Sequence, residues 1–410
     1  MVETRFARVA GAILPATAFI LPPLAVFAPL GEAPLLAAAA LALLATDCRR
    51  AIFSLGALRP LVALLAALGL WATASAAWSI LPQHSFLEGL RFLLISAGGL
   101  TVLSAGLGAQ PAERRRILLA LTAGLVLAIA LLALERFANM PLTRLWLGFR
   151  PNQYIALARF DRGVTVLLLG FWIAFAADPQ PWRRILLTAA VLAMIAAMAS
   201  QTALLAALMS ALAYVLAQIA PRSLAGAMIA AVLILGISIP LATPSYDTVV
   251  ALHQQAPWIK ASGIHRLLIW RFGADRVAER PFLGWGMDAS RAMPGGKSDF
   301  NEMLPALHYG DRAEAMPLHP HDAALQWQME LGVPGLALGL GIVGWTLWQI
   351  GWRAALSRDG RAAALALAAA AFTVGLLSFG IWQAWWLSTL WLVSALYVAL
   401  GGPAAWERSS

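Results

Sequence analysis

Apolar runs long enough to cross a membrane recur along the whole chain, separated by short polar joints. Windows of about 17–25 apolar residues mark membrane spans, and they fall near residues 9–28, 33–45, 61–78, 89–107, 117–134, 163–177, 185–199, 202–220, 224–242, 323–350, 362–380 and 384–400. The pattern predicts an all-α, polytopic membrane protein of about twelve transmembrane helices. Three parts follow: spans one to nine in 1–242, one long polar loop with short amphipathic helices in 243–322, and spans ten to twelve in 323–410. The first run follows Arg5 and Arg8 as a signal peptide would. So many runs come after it that it reads as an uncleaved span.

Basic residues alternate between the joints. Arg5/Arg8, Arg49/Arg50/Arg59, Arg114/Arg115/Arg116, Arg183/Arg184, Arg222 and Arg353/Arg358/Arg361 occupy one alternate set. The lysine/arginine rule makes that set cytoplasmic, with both termini inside. The other set is short and poor in charge, except for Glu135–Arg162 and Thr243–Asp322. Trp382, Trp385, Trp386 and Trp391, near the last spans, read as interfacial anchors or lipid-facing packing.

Composition agrees with the pattern: 61 % of the 410 residues are hydrophobic, 12 % are charged, and the mean hydropathy is +0.76. The single cysteine, Cys48, excludes an internal disulfide. The formal charge of +9 comes from arginines scattered at span ends, not from a basic module, so nucleic acid is not an expected partner. Most span centres carry no charge, which disfavours an ion-coupled transporter.

The chemistry-bearing residues are pushed to the non-cytoplasmic side. Five of the six histidines lie between 243 and 322. The stretch SGIHRLLIWRFGADRVAERPFLGWGMD predicts a helix with Ile264, Leu267, Leu268, Ala274 and Val277 on one stripe. Arg266, Arg271, Arg276 and Arg280 occupy its other faces, Arg271 and Asp275 are spaced for an ion pair, and Pro281 ends it before a Gly284-Trp285-Gly286 turn. By spacing alone it is either an interfacial helix lying on the bilayer or part of a site. Next comes PLHPHDAALQWQMELGVPG, in which Pro320 interrupts and Asp322 can cap a new helix. From Asp322 to Ile350 that helix would run about 43 Å at 1.5 Å per residue, more than the roughly 30 Å hydrocarbon core. His319 and His321 therefore fall at the membrane–water boundary. They read as half a zinc site, as ordinary loop residues, or as proton carriers; a nearby helix N-terminus favours the neutral, proton-accepting form and Asp322 opposes it.

These residues resemble the O-antigen ligase/O-antigen polymerase superfamily of bacterial envelope proteins. The resemblance rests on His319-Pro-His321-Asp322, Leu325-Gln326 and Glu330-Leu331-Gly332-Val333-Pro334-Gly335, preceded by Arg266, Trp270-Arg271 and Pro281-Phe-Leu-Gly284-Trp-Gly286. It implies a glycosyltransferase in the bacterial inner membrane with its active site on the periplasmic face. The implied donor is a glycan on undecaprenyl diphosphate. The implied acceptor is lipid A-core for a ligase, the preferred reading, or a second lipid-linked glycan for an O-antigen or exopolysaccharide polymerase. A lipid-linked glycan transporter is the competing class. No cofactor and no metal are expected, and membrane lipids surround the protein. The resemblance assigns catalysis to His321 with His319 beside it, and the diphosphate to Arg266 and Arg271.

One position departs from the family. Where many members place a Ser-Arg-Gly-Ala element, this chain has Ser200-Gln201-Thr202-Ala203, and Gln201 brings hydrogen bonds but no charge. Arg162 is the preferred substitute, with Arg159 in the same RFDRG stretch and Arg91 beside Glu88 as further candidates. The alternative for this basic outer loop is a collar for ordinary lipid phosphates.

Overall fold

Proline opens several of the long helices, at Pro82, Pro111, Pro181 and Pro221, because its fixed φ and missing N–H cost nothing in a first turn. The computed structural model describes residues 2–401 apart from 57, 151, 257, 308, 310, 311 and 355, so His308 lies outside the described residues. The helices are α1 Val2–Phe27, α2 Glu32–Thr46, α3 Cys48–Phe53, α4 Arg59–Ala74, α5 Pro82–Leu107, α6 Pro111–Phe137, α7 Pro141–Leu147, α8 Asp161–Ala177 and α9 Pro181–Met198. They continue as α10 Gln201–Ile219, α11 Pro221–Ala242, α12 Tyr246–Gln255, α13 Ala261–Glu279, α14 Phe300–Met303, α15 Ala323–Trp348, α16 Arg358–Leu377 and α17 Ala384–Gly401. Eleven of the described helical segments are long and apolar enough to cross a membrane, and Ala384–Leu400 is a shorter apolar helix. The protein is thus an all-α, multi-pass membrane protein.

The alternating charge pattern has a spatial counterpart. Arginine-rich joints meet at one face, where Arg50 pairs with Glu113 at 2.9 Å, Arg184 with Asp359 at 2.8 Å, and Arg358 donates to the Gln218 carbonyl. The other joints converge on the opposite face. There Ser75 and Ser85 hold the backbone of Met287, His84 meets Asp288, and His321 meets Ser378.

The central core gathers Leu14, Leu21, Leu36, Leu121, Leu125, Val166, Leu169 and Ala366, and it includes Trp385 and Trp386. Trp382, Trp385 and Trp386 are only 3 %, 2 % and 1 % exposed. This corrects their reading as lipid-facing anchors: hydropathy does not distinguish a side chain packed against helices from one packed against lipid. The helix over 264–277 is likewise integrated. Ile264, Leu268, Phe272, Ala274 and Val277 are buried, and Gly273 lets the side chain of Leu325 on α15 approach closely.

Candidate functional site

Two glycine-bearing segments lock together beneath the site. Inside α15, Gly332 breaks helical geometry with φ 64° and ψ −161°. A Cβ there would sit 2.1 Å from the Phe282 carbonyl oxygen, and one on Gly284 (φ 70°) would sit 2.4 Å from the backbone of Glu330. Only glycine takes this conformation at so close an approach. The freed backbone groups pair across the contact: Trp285 N–H donates to Met329 O at 3.0 Å, Gly286 N–H to Glu330 O at 2.8 Å, and Val333 N–H to Pro281 O at 3.0 Å. The indoles of Trp71 and Trp78 bind the carbonyls of Leu331 and Leu283, both at 2.9 Å. The PFLGWG and ELGVPG elements are therefore one joint, and it fixes the helix that begins just after the histidines.

Glu330, fully buried, ties three segments together. Its carboxyl oxygens accept from the Trp382 indole at 2.5 Å, Asp288 N–H at 2.8 Å, Gln326 at 3.1 Å and the Ser290 hydroxyl. Gln326 in turn accepts from Ile381 N–H at 3.0 Å. Loop 288–290 and turn 381–382 are thereby pinned to α15.

The His319–His321 segment is held on all sides. The Trp270 indole donates to Pro320 O at 2.9 Å, and Asp322 caps α15 through Leu325 N–H at 2.8 Å. His321 between them takes a left-handed φ of 59°, a strained backbone for a non-glycine residue. Its Nδ1 lies 2.5 Å from the carbonyl oxygen of Ser378, the residue that closes α16. A carbonyl can only accept, so Nδ1 carries the proton and Nε2 is left with a lone pair. His319 reaches the same carbonyl through Nε2 at 3.3 Å, and the two ring centroids are 4.5 Å apart. Gly380 makes room, since a Cβ there would lie 2.9 Å from the His319 ring.

Electrostatics favour the neutral imidazole. Burial first, then the charge of His319, pushes His321 down to about 4, and Arg266 and His265 act in the same direction. His319 is also lowered by burial, which outweighs the Ser378 carbonyl and the charge of Asp288. The sequence left the helix terminus and Asp322 in balance; in the structure burial is the main influence and favours the neutral form. Asp322 is pushed up to about 7 by burial, against the lowering effect of the backbone N–H groups it caps.

The arginines divide into two groups. Arg266 lies within electrostatic reach of His321, and Arg162 of His319. Arg266 is half-buried, and burial lowers its pKa while Asp161 raises it. Among the described residues, neither Arg266 nor Arg162 spends an N–H on a hydrogen bond or ion pair; Arg162 lies over the Trp385 ring at 5.2 Å. Arg271 is instead paired with Asp275, whose other oxygen accepts from Tyr246 at 3.2 Å. Arg159 is exposed on the short turn Leu157–Phe160, and Gln201 is exposed at the first position of α10. Arg91 pairs with Glu88 and donates to Trp382 O at 3.3 Å.

Sequence reasoning missed His84, Asp288 and Arg291. His84 Nε2 is 2.9 Å from Asp288, Arg291 is 2.6 Å from the same oxygen, and both Asp288 and Arg291 act on His319. His84, Glu88 and Asp288 stand close enough to share a cation. Their two carboxylates already face Arg91 and Arg291, so the group is balanced without one. A lone histidine at the start of a span and an aspartate in a loop carry no local signal that they meet.

Comparison with known proteins agrees with this geometry. Residues 185–340, which include Arg266, both histidines and Glu330, match the O-antigen ligase family model. A Rickettsia conorii protein named as a polysaccharide ligase is 28 % identical over 286 residues, 68 % of this chain and 66 % of its own. One from Rickettsia bellii is 26 % identical over 329 residues, 79 % of this chain and 76 % of its own. One from Rickettsia typhi is 38 % identical over 135 residues, 33 % of this chain and 32 % of its own. The matched region thus spans about two thirds or less of two of these relatives and about three quarters of the third. The histidine segment and its glycine joint both lie inside the region over which the chain is similar to the O-antigen ligase family and to these polysaccharide ligases.

Proposed function

We propose that the protein is a membrane glycosyltransferase that moves a glycan from undecaprenyl diphosphate to an acceptor sugar hydroxyl. It acts at the periplasmic face of the inner membrane as an O-antigen ligase, with lipid A-core as acceptor. The reading is supported by one arrangement: a half-buried His321, its Nδ1–H spent on Ser378, lies within electrostatic reach of Arg266, whose guanidinium makes no hydrogen bond or ion pair among the described residues.

In the proposed reaction the acceptor O–H gives its proton to Nε2 of His321. The oxygen attacks the anomeric carbon, the bond from that carbon to the diphosphate oxygen breaks, and the electron pair leaves with undecaprenyl diphosphate. Attack opposite the leaving group inverts the anomeric centre. A positioned base of this kind contributes roughly 10²–10⁴-fold. Arg266 and Arg162 receive the charge that develops on the departing phosphate; guanidinium forks do this in bidentate fashion, and more strongly where water is partly excluded. Arginine thus takes the neutralising part that a divalent cation plays elsewhere.

Purified protein in detergent, given undecaprenyl-diphosphate glycan and lipid A-core, is expected to yield glycan-capped core without a second compartment. Lipid-linked chains lengthening in the absence of lipid A-core would assign it as a polymerase. Movement across a vesicle membrane with no new glycosidic bond would remove the enzyme reading.

A further inference from the structure

Gln326, in the first turn of α15, is 1 % exposed, and both ends of its amide are engaged. Its Nε2 donates to Glu330 Oε1 at 3.1 Å, and its Oε1 accepts from Ile381 N–H at 3.0 Å. Glu330 also takes the Trp382 indole at 2.5 Å, so the turn between α16 and α17 is held to α15 at two successive residues. That turn is also what the histidines lean on. Ser378 O meets His321 Nδ1 at 2.5 Å and His319 Nε2 at 3.3 Å, and Gly380 backs the His319 ring. The carbonyl of a residue that closes a helix has no donor within the helix. Nothing in α16 therefore aims Ser378 O, although Ser378 N–H is fixed on Val374 O at 2.9 Å.

These contacts close into a ring. His321 binds Ser378, and the chain runs on to Ile381, which binds Gln326. Gln326 N–H donates to Asp322 O at 3.0 Å, and Asp322 follows His321. We propose that Gln326 is a positioning residue for His321: by holding Ile381 it aims the Ser378 carbonyl at Nδ1, which keeps the proton there and the lone pair on Nε2. The proposal rests on the preceding reading of His321 as the base. Packing alone does not call for an amide here. An apolar side chain of the same length would fill the space, but it would leave Ile381 N–H without this acceptor.

The test uses the full chain in lipid bilayers with ¹⁵N-labelled histidine. Nitrogen spectra separate the Nδ1–H from the Nε2–H tautomer, and the signal missing in His321→Gln identifies residue 321. The wild-type protein is expected to show the Nδ1–H form. Gln326→Met is expected to spread the proton over both nitrogens. It should also lower kcat about 10–10²-fold and change KM for undecaprenyl-diphosphate glycan less, because a displacement of about 1 Å is felt at the reacting atoms. A glutamine that only fills the core would leave the tautomer as it is, even if its loss lowered stability. An unchanged tautomer, or Gln326→Met at the wild-type kcat, therefore overturns the proposal. If Gln326→Met does not fold, Gln326→Asn draws the amide back by one methylene and is held to the same two outcomes. His321→Gln transferring at the wild-type rate would strike the earlier reading and take the proposal with it. The tautomer is measured without substrate, so the two failures are told apart.

Discussion

The acid limb of the pH profile for transfer should lie far below that of an ordinary histidine. A free imidazole titrates near 6.5, whereas burial and the neighbouring His319 bring His321 down to about 4. Only the neutral form accepts a proton, so activity is retained above that value and lost as pH falls through it. At pH 5.5 an ordinary histidine would be about 9 % neutral and His321 about 97 %, an advantage of roughly tenfold. The assay is kcat/KM for the donor between pH 4 and 8, in a detergent in which the protein stays folded. His319→Asn removes the second cause of the depression but leaves burial, so the limb should rise and still stay below the ordinary value. Asp322, pushed up to about 7, also titrates in this window; Asp322→Asn keeps a capping oxygen and removes that titration. A limb near 6.5 in the Asp322→Asn protein would refute the assignment of a half-buried, depressed base.

Other substitutions separate the arginines and test the joint. Arg266→Ala should lower kcat/KM by about 10²–10³, and Arg266→Lys by less, since charge survives without the fork. Arg271→Ala should leave kcat within a few-fold of wild type, because its guanidinium serves Asp275; an equal loss at both positions would contradict the division seen here. Gly332→Ala should destabilise the protein by about 2 kcal/mol or more, combining a left-handed backbone with the Phe282 carbonyl in the way of a Cβ; unchanged thermal unfolding would show that the joint is loose. Transfer should continue in EDTA, because guanidinium groups supply the neutralising charge; a strict requirement for added divalent cation would point instead to His84, Glu88 and Asp288.

The spanning helices were legible because apolar length is a local property, and the eleven segments long enough to cross a membrane coincide with predicted runs; short helices such as α3, α7 and α12 carried no such signal. The start of α15 was legible because Pro320 and Asp322 act within a few residues. Burial was not: Trp385 and Trp386 look the same in a sequence whether they face lipid or helices. The split between Arg266 and Arg271 was available in principle. Five residues at 100° per step place two side chains about 140° apart on a helix, so one partner cannot easily hold both. What a single chain could not reveal is coincidence across distance. Trp71 with Leu331 and His84 with Asp288 each join segments that only the folded bundle brings together.

The most direct test of the whole account is the rate of glycan transfer by His321→Gln, with folding verified by its elution and unfolding temperature. Loss of at least about 10²-fold, at every pH between 5 and 8, is the predicted result. Transfer within a few-fold of wild type would mean that another group takes the acceptor's proton, and the site as assembled here would have no base.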